Sequence, residues 1–170
     1  MQRLLSLFVL FAALFCFAGS SSAAKAPQLK EMGGQKIETT FYTVVIPTGW
    51  SMPTPIQTAP NNGVTALFAS MSQSPAISIS VMQAPATAKQ IGEMTLANME
   101  KGGITHTPLE EKDGLQHSIL SGKGKGSIWF GENNGIVSVT IITGDNIDKA
   151  DEFFSVFEPK MDGLFPKKAQ

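Results

Sequence analysis

The residue types best suited to chemistry in this chain sit in one short stretch, where His106 and His117 flank Glu110, Glu111 and Asp113. Imidazole nitrogens and carboxylate oxygens are ligands for a divalent ion, and zinc does not require cysteine. A hairpin turning at Asp113-Gly114 would bring the two histidines close to opposite one another, so His106, Glu110, Asp113 and His117 form the candidate metal set. No recognised ligand spacing such as His-Glu-x-x-His is present, and a solvated hairpin with polar residues on its outer face accounts for the same residues. The run from Gly122 to Gly126 alternates glycine with Lys123 and Lys125, which could cradle a phosphate. It lacks the strand-to-helix context and the closing Ser/Thr of a P-loop, and reads as a hairpin connection.

Nucleophilic catalysis needs a base and an orienting group beside the nucleophile. No serine lies in a Gly-x-Ser-x-Gly elbow, and neither histidine has an evident partner in sequence. The carboxylate pairs Glu110-Glu111 and Asp151-Glu152 are adjacent, so on a strand or helix they point in different directions. These patterns predict no catalytic residue and no cofactor. Trp50, in a proline-rich loop, is a candidate partner anchor, although a lid over the end of a sheet would use the same ring. Trp129 alternates with Ile128 and Phe130 and fits a core position, and the scattered methionines fit gap-filling better than copper.

The elements that would hold these residues follow from periodicity. Residues 40–46 are apolar or β-branched on both faces and predict a strand buried on both sides, stopped by Pro47-Thr48-Gly49-Trp50 and by Pro53, Pro55 and Pro60. After the Asn62-Gly63 turn, 64–71 and 76–82 read as strands that complete a three-stranded antiparallel unit with 40–46. Thr87 and Gln90 have capping-box spacing ahead of a helix over 88–101, with Ala88, Ile91, Thr95 and Met99 on one stripe, Leu96 beside it, and Gly102-Gly103 as its stop. Strands over 104–110 and 115–121 flank Asp113-Gly114, and strands over 127–132 and 136–143 flank Asn133-Asn134-Gly135, a type I′ hairpin signal. Asp145 caps a second predicted helix over 147–158, with Ile147, Ala150, Phe154 and Phe157 at helical spacing and Phe153 widening the stripe. Leu164 and Phe165 are expected to fold back onto the core.

Residues 1–24 read as a secretory signal: Arg3, an uncharged apolar run over 4–18, then small residues over 19–24, with cleavage expected after Ala23 or Ala24. The apolar run, roughly 15 residues, is short of the roughly 20 that span a bilayer, so no transmembrane segment is expected after cleavage. Cys16 as a lipidated residue is the alternative, but bulky Leu14 and Phe15 precede it. Cleavage removes Arg3 and Cys16, the chain's sole arginine and cysteine, which excludes disulfides and thiolate chemistry. Of 13 basic and 14 acidic residues, all basic ones but Arg3 are lysines, and none form a cluster, which argues against nucleic acid as partner. The expected organisation is a flexible segment over 25–35, one α+β domain over 36–166, and a frayed tail over 167–170.

The element order, opened by Ile46-Pro47-Thr48-Gly49-Trp50, resembles the PsbP-like superfamily, which includes the photosystem II extrinsic subunit and DcrB-like exported bacterial proteins. The resemblance spans 37–164. It implies an α+β sandwich with a mostly antiparallel sheet of six to seven strands and helices packed on both faces. It also implies a non-enzymatic accessory or binding domain, since the superfamily has no shared catalytic residues. The expected role is therefore a periplasmic or secreted domain that contacts another envelope protein. The alternatives are a small-ligand or metal-binding protein and a hydrolase whose site is dispersed in sequence.

Overall fold

The computed structural model describes residues 29–59, 62–72 and 74–169. Residues 1–24, with Arg3, Cys16 and the expected cleavage position of the signal reading, and the side chain of Ile147, lie outside the described residues.

The chain runs through β1 (Lys36–Glu38), β2 (Tyr42–Val45), β3 (Trp50–Ser51), β4 (Gln57–Thr58), β5 (Val64–Ser70) and β6 (Ala76–Gln83). Helix α1 (Ala88–Lys101) follows. Next come β7 (Ile104–His106), β8 (Glu110–Lys112), β9 (Leu115–Gly122), β10 (Gly126–Asn133) and β11 (Ile136–Thr143). Helix α2 (Ile147–Ser155) and β12 (Phe157–Pro159) complete it. The main sheet has the order β3-β5-β6-β11-β10-β9-β7, with β4 added on β5 and β8 on β9, and all its pairings are antiparallel. A large antiparallel sheet with a helix on each face is the architecture expected.

Side-chain alternation divides the core between the two faces. On one face Phe68, Ile77, Ile79, Val81, Trp129 and Ile142 pack with Ala150, Phe153 and Phe154 of α2. On the other, Ile128, Phe130, Val137, Val139 and Ile141 pack with Ile91, Leu96 and Met99 of α1. Both hairpin turns carry two consecutive residues at positive φ, Asp113-Gly114 and Asn134-Gly135, and each joins its strands through a two-residue loop. That is the type I′ geometry whose twist matches paired strands.

Two expectations need correction. Strand β2 does not join β5 and β6; it is the centre of a separate three-stranded sheet, β1-β2-β12, in which Phe157 pairs Val44. Tyr42, Val44 and Ile46 carry that sheet onto the α2 side of the core. Helix α2 is capped by Asn146, whose side chain accepts from the Lys149 amide, and it ends at Ser155. Phe157 therefore reaches the core from a strand; helical spacing placed it on the correct side for a different reason.

The ends of the domain are tied down. The Met32 amide donates to the Trp50 carbonyl at 2.9 Å and the Gly34 amide to Ile46 at 2.8 Å. At the other end, residues 162–169 form a strap across the α2 face of the sheet, with Leu164, Phe165 and Ala169 buried. The polar composition of 167–170 suggests fraying, yet the Ala169 amide donates to Asp151 Oδ1 at 2.6 Å and its carbonyl accepts from Ser127 Oγ at 2.8 Å. Gly131 lies directly beneath the strap, where any Cβ would overlap the Gly163 and Leu164 carbonyl oxygens.

Candidate functional site

A one-residue irregularity decides where the sequence-predicted metal set lands. Strand β8 pairs β9 symmetrically about Asp113-Gly114, so Glu110 faces His117 and Lys112 faces Leu115. Past Thr107-Pro108-Leu109 the register steps by one, and His106 pairs Leu120. Because the side-chain period is two, that step sends His106 to the α1 face and leaves His117 on the α2 face. Pro108 has no N–H to continue the ladder. The structure thus brings Glu110 to His117, separates the two histidines by the thickness of the sheet, and leaves Asp113 in the exposed turn. Among the described residues no three His, Cys, Asp or Glu side chains are gathered so as to hold a metal ion.

His117 is buried, its side chain 2% exposed. Its Nδ1 lies 3.2 Å from Glu110 Oε1, and its ring lies 4.0 Å from that of Trp129, the residue paired with it on β10. The Nε2 atom is enclosed without a hydrogen-bond partner. Burial, which disfavours the imidazolium, pulls the His117 pKa below its ordinary 6.5; Glu110 opposes this and Lys112 assists it. Lys112 Nζ also stands 5.7 Å from the centre of the Trp129 ring.

His106, on the other face, borders an open cleft of about 440 Å³ between α1 and the β7–β8 step. Leu96, Ala97 and Leu109 supply its apolar lining, and Lys89, Glu93, Glu100 and His106 its polar rim. His106 Nδ1 lies 2.7 Å from the Thr107 carbonyl oxygen and Nε2 lies 3.2 Å from Glu100 Oε1. Lys89, Glu93, Ala97 and Glu100 were not singled out from sequence. Their spacing of four, four and three does place them in one row along α1, beside the apolar stripe that the helix buries. What sequence lacks is the opposing wall, because Leu109 reaches the cleft through the register step.

The remaining candidates have structural places. Trp50 is fully buried with its ring 5.2 Å from Phe153, so it forms part of the core and offers no exposed anchor. Trp129 is buried as well, and its Nε1 lies 3.4 Å from the Ala169 carbonyl oxygen. The lysine-glycine loop joins β9 to β10, with Lys125 paired to Asp145 at 3.3 Å on the exposed surface.

No family model matches the chain, and no curated protein matches it. Among solved structures it is similar to the solution structure of cyanobacterial PsbP (CyanoP) from Synechocystis sp. PCC 6803, at 16% sequence identity and a TM-score of 0.46. The match covers 83% of this chain and 98% of that one. No functional property is transferred on a likeness of this size.

Proposed function

We propose that the chain is an exported, non-enzymatic binding domain that docks a partner protein of the cell envelope at the cleft between α1 and the β7–β8 step. The observation that carries this reading is the shape and lining of that cleft: open, with an apolar floor and a rim of opposite charges. Such a surface accepts a side chain of a partner at the centre of a polar rim, whereas a substrate that is to react is ordinarily enclosed. The leader-like composition of residues 1–24 supports export. Among the described residues no helix is long and apolar enough to cross a membrane.

The test is a photo-crosslinking residue at exposed Ala97, activated in intact cells. One dominant crosslinked envelope protein is expected, and Leu109→Asp should remove it by charging the cleft wall. Absence of a crosslink, or a crosslink indifferent to Leu109→Asp, would overturn the reading. A divalent ion in the same cleft is the competing reading, favoured by the meeting of His106 and Glu100. It requires a metal-dependent rise in Tm that His106→Ala abolishes.

A further inference from the structure

We propose that His117 is a proton-sensitive latch for residues 167–169 of the strap: protonating its ring loosens Trp129 and, through Trp129, releases Ala169 from the sheet. The latch lies on the face opposite the cleft and does not depend on what the cleft binds.

The contacts form a continuous series. Glu110 accepts from His117 Nδ1–H, which leaves Nε2 as the basic nitrogen, enclosed and without a partner. The imidazole packs on the indole of Trp129 at 4.0 Å with the planes tilted by 37°. The indole Nε1–H points at the Ala169 carbonyl at 3.4 Å, and Ser127 donates to the same oxygen. Ala169 is fully buried although Lys167 and Lys168 before it are exposed, so this segment is held at Ala169 by these polar contacts and by Asp151.

A proton arriving at Nε2 creates a buried, charged N–H with no acceptor beside it. The charged groups facing the ring are Glu110 and Lys112, both on β8; Asp151 of α2 stands at the strap end of the series. Glu110 already holds the other ring nitrogen, so it offers Nε2 nothing. The ring meets the need by moving off the indole toward water, and the indole then loses the wall that aims Nε1 at Ala169. Ala169 is held on the sheet by its hydrogen bonds with Ser127, Trp129 and Asp151, whereas the larger side chains of Leu164 and Phe165 anchor the start of the strap by apolar burial. Release is therefore confined to residues 167–169.

The experiment is an NMR pH titration of the intact exported chain between about pH 4 and 8, following His117 Cε1–H, Trp129 Nε1–H and the Ala169 amide. A single shared midpoint below the ordinary histidine value is expected. Glu110→Gln, a change at an exposed edge residue, should move all three midpoints down together because it removes the one neighbour that favours the imidazolium. His117→Phe keeps an aromatic ring on Trp129 and should abolish the response at Ala169 across the histidine range. An Ala169 midpoint that stays put in Glu110→Gln, or a response that survives in His117→Phe, would assign the transition to a group other than His117 and overturn the latch. Should His117→Phe fail to fold, the co-movement in Glu110→Gln decides alone.

Discussion

At His117 desolvation outweighs the Glu110 carboxylate, and the sign of the resulting pH dependence follows directly. Above about pH 6.5 the ring is neutral in both folded and unfolded chains and contributes no slope. As pH falls from there to the lowered folded value, the unfolded chain takes up a proton that the folded chain refuses, so stability declines through that window. Urea midpoints measured across it should fall with acidification, and His117→Phe should flatten the curve there. Glu38 works in a separate, more acidic window. Its hydrogen bond and attraction to Lys160 hold its pKa below 4.5, so any stability it adds is lost only as pH drops under that value. Gly131 supplies a second residue-scale prediction. Its φ is ordinary, and glycine is needed because the strap carbonyls of Gly163 and Leu164 occupy the space of a Cβ. Gly131→Ala should cost about 1–3 kcal/mol in urea denaturation, as overpacking does, by lifting the strap.

Helix α1 shows what an element owes to its own sequence. Thr87 Oγ1 accepts from the Gln90 amide at 3.2 Å and Gln90 Oε1 accepts from the Thr87 amide at 3.0 Å, a capping box legible from two residues three apart. A third contact is invisible in sequence: Glu132, at the end of β10, accepts from the Ala88 amide at 2.5 Å. Thr87→Ala should cost about 1 kcal/mol. Glu132→Gln retains an acceptor and loses the charge that complements the helix N-terminus, so a smaller loss of about 0.3–1 kcal/mol is expected. Equality of the two losses in chemical denaturation would contradict this ranking. The same contrast governs the rest of the secondary structure. The α1 stripe of Ala88, Ile91, Thr95, Leu96 and Met99 and the hairpin at Asn134-Gly135 are legible because each is specified within a few neighbouring residues. The β2–β12 pairing joins segments more than a hundred residues apart, and nothing local in either names the other. At the candidate site, His106 and Glu110 were legible as polar residues of a hairpin, but their faces were not. A single step at Thr107-Pro108-Leu109 reverses the parity on which a shared metal site would depend.

For the whole molecule, the consequence of one sheet carrying two apolar layers is that neither layer can be lost alone. Phe153 is fully buried on the α2 face against Trp50, Phe68, Phe154 and Phe157. Phe130 is fully buried on the α1 face, among Ile91, Leu96 and Val139. Strand β10 links them, since Trp129 faces the first layer and Phe130 the second from adjacent positions of one backbone. Removing either ring should cost about 3–5 kcal/mol, the usual range for a buried phenylalanine reduced to alanine. Both tryptophans lie in the α2 layer, so their fluorescence reports on one face while far-UV circular dichroism reports on the whole sheet. If the layers are coupled through the sheet, Phe130→Ala will shift the fluorescence and dichroism midpoints in urea together, although the deleted ring belongs to the layer without a tryptophan. A fluorescence transition left at its original midpoint while dichroism moves would show that the α1 layer melts by itself, and the sheet would then join two separately stable halves.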